Sequence, residues 1–160
     1  MDNLNIRLIK KSDLKTLARI YTKVYTYSDV GEKWIDTTSY NLLVYWYKRQ
    51  PDLCLVAESS GKPIGAFVAG IKPWHDGNHL VDGEIFVDPD YQKKGIGRLL
   101  SIEMYKRALK KYNAICFDAT TFKDKKFPLS WYKSQGFAEV KNWTIITGDL
   151  RKVLKGLRRN

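Results

Sequence analysis

The chain has 160 residues, 44% apolar and 28% charged, with a net charge of +11, as expected of one globular domain able to bury roughly 70% of its unfolded surface. No window approaches the ~18 uninterrupted apolar residues of a membrane span, and Met1-Asp2-Asn3-Leu4-Asn5 lacks the basic-then-apolar pattern of a secretory signal; a cytoplasmic protein with no membrane partner is expected. Cys54 and Cys116 lie in separate apolar runs and read as isolated buried thiols, and no CxxC or Cys/His spacing suggests a metal.

Asn5–Ile9 alternates as a first strand should. Ser12 is placed to cap a helix, with Asp13 in its first turn and Leu14, Leu17, Ala18, Tyr21, Val24 and Tyr25 at helical spacing. A more aromatic helix follows from about Thr38 to Lys48 and stops at Pro51-Asp52. Leu53–Glu58 and Ile64–Ile71 read as strands around the turn Ser59-Ser60-Gly61-Lys62-Pro63. Lys72–Asn78 reads as a loop, Leu80–Val87 as the fourth strand, and Ile96 to about Lys111 as a helix. Ala114–Ala119 is a strand, and Phe127–Gln135 a short helix opened near Pro128. Phe137–Lys141 and Trp143–Gly148 read as a closing hairpin. This order implies a mixed α/β fold with a largely antiparallel sheet, in one domain spanning 1–160 with a basic tail at about 151–160.

The most informative segment joins the fourth strand to the next helix: Val87-Asp88-Pro89-Asp90-Tyr91-Gln92-Lys93-Lys94-Gly95-Ile96-Gly97-Arg98. A helix that opens on glycines leaves several main-chain N–H groups clustered, with the positive end of the helix dipole behind them. That favours an anion such as a phosphate or pyrophosphate. Lys93, Lys94 and Arg98 add charge at the same place. A dinucleotide fingerprint fails because Leu100 stands where its third glycine belongs, and a Walker loop fails because Gly97 is followed by Arg98 and Leu99. What remains is a Gln/Arg-x-x-Gly-x-Gly/Ala pattern after a V-x-P strand end.

The charge distribution agrees. Residues 92–133 carry 11 Lys/Arg against 3 Asp/Glu, the tail 151–160 carries 5 basic residues and no acid, and the rest of the chain is slightly acidic. The excess thus belongs to the anion-site half and the tail, which fits a polyanionic ligand or an acidic partner.

With this turn in place, the chain resembles the GNAT superfamily of N-acetyltransferases. A second anchor is Ser130-Trp131-Tyr132-Lys133-Ser134-Gln135-Gly136-Phe137, similar to that family's aromatic-Tyr-x-x-x-Gly-Phe signature. The resemblance implies a central sheet of about six to seven strands flanked by about four helices, and an enzyme using acetyl-CoA as acyl donor and an amine as acceptor, without a metal. It places the CoA pyrophosphate on the amides around Gln92, Lys93, Lys94, Gly95, Ile96, Gly97 and Arg98. It places the pantetheine arm along Ile85, Phe86 and Val87, beside a bulge that splays the sheet. It makes Tyr132 the general acid, since a phenol with an ordinary pKa of about 10 stays protonated at neutral pH. For the base, Glu84 is the leading carboxylate, with Asp82 and Asp118 as alternatives and His75 and His79 behind them. The family's asparagine and small residue, seven and four positions before the tyrosine, are here Lys125 and Pro128. Lys125 either pairs with a CoA phosphate in place of the asparagine contact or faces solvent.

The resemblance puts the acceptor site among the first two helices and the loop before the fourth strand. These are rich in aromatics (Tyr25, Tyr27, Trp34, Tyr40, Tyr45, Trp46, Tyr47 and Trp74) interspersed with Asp29, Glu32, Asp36 and Asp76, which suits a cationic amine: a small molecule, a lysine or a protein N-terminus. Two other readings stay open: a non-catalytic CoA-binding or sensing protein, and a nucleic-acid binder with an accessory basic tail, although no helix-turn-helix, RNP or zinc pattern supports the second. A homodimer is also left open.

Overall fold

A computed structural model of the chain describes residues 4–27 and 31–158. Asp29 lies outside them, as do the side chains of Tyr27 and Asp82. The chain forms two compact units, divided after Thr120.

The first unit holds strands β1 (Leu4–Leu8), β2 (Cys54–Ser59), β3 (Lys62–Trp74), β4 (Gly77–Val87) and β5 (Ala114–Asp118), in that order across one sheet, with helices α1 (Leu14–Tyr27), α2 (Asp36–Arg49) and α3 (Ile96–Tyr112). The first four strands are antiparallel and β5 joins β4 in parallel, α3 being the crossover. Both faces of the sheet are buried. Cys54, Val56, Ala66, Val68 and Phe86 pack with Leu14, Leu17 and Tyr21 of α1 and Leu43 and Trp46 of α2. Leu55, Ala57, Phe67, Ala69, Leu80 and Val87 pack with Ile96, Leu100, Met104 and Ala108 of α3. This is why β2 and β3 read as near-continuous apolar runs rather than as clean alternation.

Some expectations are corrected. The predicted loop Lys72–Asn78 is mostly strand: β3 and β4 form a long hairpin paired to its tip, Trp74 with Gly77. Ser12 is not the cap; it lies in a single 3-10 turn, Lys11–Asp13, and it is Asp13 that accepts the Lys10 N–H at 2.7 Å and the Arg7 guanidinium at 2.7 Å. Cys54 is buried, but Cys116 is exposed. Among the described residues the mixed, largely antiparallel sheet is as expected but holds five strands, and 137–148 form no strand, so the closing hairpin is not seen.

The regular pairing of β3 with β4 is interrupted beside the predicted donor edge. Val68 pairs with Glu84 and Gly70 with Val81, so Asp82 and Gly83 together oppose Ala69, a β-bulge. Gly83 is required there by close approach, since a Cβ would lie 2.7 Å from the Phe67 ring and 2.9 Å from the Val68 carbonyl oxygen. Gly83→Ala is expected to destabilise the fold by about 1–3 kcal/mol, read as a lower urea midpoint.

The far end of α3 is tied to the start of β2 by Asp52, whose carboxylate accepts from Lys111 and Tyr112 and, at 3.0 Å, from Gln50. Burial alone would raise the pKa of Asp52, but these donors outweigh it and hold the group at about 2. Because the folded-state value lies below the unfolded one, the stabilisation is fully present above about pH 4 and is lost as pH falls toward 2. Asp52→Asn should therefore cost on the order of 1 kcal/mol at pH 7, after allowance for solvent screening. The difference between the two proteins should vanish only as pH falls below about 2.

The second unit contains α4 (Lys126–Ser134) and α5 (Leu150–Leu157). The basic tail thus includes a helix that its charge pattern does not announce, capped by Asp149 accepting the Arg151 N–H at 2.9 Å.

Candidate active site

The strand end, turn and helix start are held by polar contacts that the residue types make possible. The Gln92 side chain donates to the Val87 carbonyl at 2.9 Å, and the Asp88 side chain accepts the Asp90 N–H at 3.1 Å. Lys23 reaches from α1 to bridge Asp88 and Asp90, each at 2.8 Å. Lys94 donates to the Asp90 carbonyl at 2.9 Å and lies 5.2 Å from the Tyr91 ring centroid. Residues 92–95 and Arg98 are exposed, whereas Ile96 is buried and anchors the helix.

The backbone of this turn is shaped by Lys93 at φ +58° and Gly95 at φ +81°. A Cβ at Gly95 would meet no atom within 4 Å, so glycine is needed there for the left-handed backbone, not for space. The helical ladder begins with the Leu99 N–H donating to the Gly95 carbonyl at 3.1 Å. The amides of Ile96, Gly97 and Arg98 precede that first bond and have no carbonyl one turn back to accept them. Successive amides beside a left-handed residue form a concave anion site, and the helix dipole adds to it.

Upstream, the bulge at Asp82–Gly83 coincides with a fork in the sheet. The β4–β5 ladder ends at Val81 and Asp118, while β4 continues on its other edge along β3, Ile85 with Phe67, Phe86 with Ala66 and Val87 with Gly65. Among the described strands, none pairs with the β5-side edge of Ile85, Phe86 and Val87. That edge leads directly into the glycine turn.

Glu84 sits just past the bulge, on the α1–α2 face of the sheet. Its carboxylate accepts from the hydroxyls of Tyr21 at 3.1 Å and Tyr25 at 3.0 Å. Burial first, reinforced at Tyr21 by Tyr25 and the Glu84 carboxylate and at Tyr25 by that carboxylate, pushes both phenols well above their ordinary pKa, so both stay protonated donors. Tyr21 stacks on Tyr25 with centroids 4.4 Å apart and meets Trp34 and Phe86 edge-on at 5.0 and 5.1 Å. Of the predicted acceptor aromatics, Tyr25 and Trp34 gather here. Trp46 is core, Tyr45 is exposed beside Arg49, and Trp74 is covered by the Lys72 ammonium. Glu32 accepts the Trp34 indole N–H at 2.6 Å.

The other candidate bases are placed differently. His75 is exposed. His79, expected beside a loop, is a buried residue of β4, with Nδ1 2.7 Å from Asp118 and Nε2 2.8 Å from Asp76. Asp118 and Asp76 hold its imidazole above the usual value, which disfavours the neutral form a base needs. Asp118 is itself occupied by that ring.

In the second unit, Tyr132 is buried near the end of α4, its ring edge-on to Trp131 at 5.0 Å and to Phe137 at 5.2 Å. The Tyr-x-x-x-Gly-Phe spacing has a plain cause. Gly136 at φ +94° ends the helix in the left-handed conformation and turns the chain so that the Phe137 N–H donates to the Tyr132 carbonyl at 3.2 Å. Lys125 is the exposed N-cap residue of α4.

Tyr21, Lys23 and the His79–Asp76–Asp118 cluster carry no local sequence signal that marks them as a set. Tyr21 falls at a core position of a helix, and only the β4 register shows that its hydroxyl meets a carboxylate.

The profile described as the acetyltransferase (GNAT) family matches residues 14–137. The chain is 32% identical over 154 residues to an uncharacterized N-acetyltransferase of Methanocaldococcus jannaschii, the match covering 86% of this chain and 63% of that protein. The chain thus spans less than two thirds of that relative's length. A possible acetyltransferase from Clostridium difficile 630 has a similar structure, with a TM-score of 0.75 at 17% identity and coverage of 91% of this chain and 97% of the other. A predicted acetyltransferase from Clostridium acetobutylicum, solved with acetyl-CoA, gives 0.68 at 17% identity, covering 91% and 96%. At these identities the likeness is one of fold.

Proposed function

Because the chain belongs to the GNAT family of acetyltransferases, we propose that it moves the acetyl group of acetyl-CoA to a primary amine by direct attack. One observation carries the donor assignment: a β4 edge that β5 leaves past the bulge runs straight into a turn whose first-helix amides lie outside the helical ladder. The residues fit a thioester carrier with a diphosphate. The amides of residues 93–98 take the diphosphate, with Lys93, Lys94 and Arg98 screening its charge, and each charge-assisted hydrogen bond contributes about 1.5–3 kcal/mol. The edge of Ile85, Phe86 and Val87 takes the amide-bearing arm as a further strand, and Lys125 serves an outer phosphate. The relative solved with acetyl-CoA supports this choice of donor.

On the acceptor side, the ring cluster of Tyr21, Tyr25, Trp34 and Phe86 around Glu84 suits a cationic amine. Glu84, oriented by the two phenols, takes a proton from the ammonium, directly or through water. The freed nitrogen attacks the carbonyl carbon of the thioester, the carbon–sulfur bond breaks, Tyr132 gives its hydroxyl proton to the departing sulfur, and the second proton lost by the new amide nitrogen passes through solvent to restore the phenol. The products are an acetamide and free CoA. The profile match runs from residue 14 to residue 137 and so includes residues of both units. No helix among the described residues is long and apolar enough to cross a membrane, and two unpaired cysteines fit a reducing cytoplasm.

The activity is tested by following thiol release from acetyl-CoA over a panel of polyamines, aminoglycosides, amino acids and short peptides. Amine-dependent release above the hydrolysis background is expected, and its absence across the panel would leave the non-catalytic CoA-binding reading. The turn is tested separately by Gly95→Ala. An alanine at φ +81° costs about 1–2 kcal/mol, which lowers the population of the competent turn, so the Kd for CoA should rise about tenfold. An unchanged Kd would remove the turn from the binding site.

A further inference from the structure

His79, Cys116 and Asp118 are brought together by strand register. His79 of β4 is paired with Cys116 of β5 in the parallel ladder, and Cys116 and Asp118, two apart on one strand, point to the same face. A ring nitrogen, a thiol sulfur and a carboxylate oxygen from these three residues lie within 4.8 Å of one another. His79 Nδ1 is 2.7 Å from Asp118, and Cys116 Sγ is 3.8 Å from the other oxygen of the same carboxylate. Sulfur, imidazole and carboxylate around a tetrahedral zinc ion, with metal–ligand bonds of about 2.0–2.3 Å, would be about 3.3–3.5 Å apart. Small side-chain rotations would bring the trio to that geometry.

A fourth residue completes the pattern. The second ring nitrogen of His79, Nε2, is 2.8 Å from Asp76. A histidine that ligates a metal through one nitrogen characteristically donates the N–H of the other to a carboxylate, which fixes the tautomer and the ring orientation. Here that partner is present, and the ring is buried while Cys116 and Asp118 are exposed to an arriving ion.

We propose that His79 Nδ1, Cys116 Sγ and Asp118 bind a divalent transition metal of borderline softness, zinc by preference, with Asp76 as the outer partner of the histidine. The thiolate argues against magnesium or calcium, which take oxygen ligands. Binding needs the Cys116 thiol and His79 Nδ1 without their protons, so zinc affinity should rise with pH. Three protein ligands leave a fourth position for water or a small anion. The ion ties β4 to β5 at the last rungs before the strands part at Val81 and Asp118, the fork from which the proposed acyl-donor edge continues.

The test is metal binding by the full chain stripped with a chelator, at pH 7.5. Zinc titrated in a calorimeter should bind at one equivalent, and cobalt(II) should give a near-ultraviolet sulfur-to-cobalt charge-transfer band. Cys116→Ser should abolish the band, and Asp118→Ala and His79→Ala should weaken zinc at least tenfold. Asp76→Asn should weaken zinc about 10–100-fold while keeping the band. Cys116 and Asp118 are exposed, so their variants should fold, which circular dichroism checks. Absence of zinc binding overturns the proposal, as does zinc binding of equal strength in the Cys116→Ser and Asp118→Ala proteins. Neither outcome bears on acetyl-CoA.

Discussion

Tyr132→Phe is expected to lower turnover with acetyl-CoA and an accepted amine by ~10²–10⁴-fold, the range for loss of a positioned proton donor, while the Kd for CoA stays within a factor of about three of wild type. The substitution keeps the ring that packs on Trp131 and Phe137 and removes only the hydroxyl proposed to protonate the departing sulfur. Turnover should therefore fall without a matching rise in KM. Unchanged turnover would take Tyr132 out of the mechanism and leave the leaving thiolate to solvent.

Glu84→Gln should produce a deficit of similar size but different shape. Glutamine keeps the length and still accepts from Tyr21 and Tyr25, yet it cannot take a proton from an ammonium. The variant must rely on acceptor that is already neutral, a fraction that grows as pH approaches the amine's own pKa, about 10 for an alkylamine. The loss in kcat/KM should be about 10²-fold or more near pH 7 and should shrink steadily toward pH 9 to 10. A loss that stays constant with pH would mean that Glu84 positions the ring cluster and does not carry the proton.

The two variants also separate what is legible in the sequence from what is not. The glycine turn is legible because its chemistry is local: strand end, proline, glycines and helix start follow one another, and Gly95 takes a left-handed φ of +81°. The Tyr-x-x-x-Gly-Phe segment is legible for the same reason, with Gly136 ending α4. Glu84 stands out as a carboxylate on the right strand, but its two tyrosine donors come from α1, about sixty positions away, and no local pattern announces such a meeting. His79 is misplaced by sequence because Pro73, His75, Asp76 and Gly77 have turn chemistry, yet only His75 and Asp76 turn, and the β3–β4 hairpin keeps its pairing up to Trp74 and Gly77. The His79–Cys116–Asp118 cluster is invisible because His79 stands 37 and 39 positions before the other two, a separation that follows no metal spacing rule; only the parallel register of β4 and β5 unites them. The tail reads as charge alone, although Leu150, Val153, Leu154 and Leu157 are the apolar residues of the helix α5.

The most direct measurement is a calorimetric titration of the purified full chain with CoA. Saturable heat at one equivalent is predicted, weakened by Gly95→Ala and by raised salt, because the proposed diphosphate site is built of main-chain amides and exposed cations at residues 93–98. No heat of association with either CoA or acetyl-CoA, from a protein shown by circular dichroism to be folded, would contradict it.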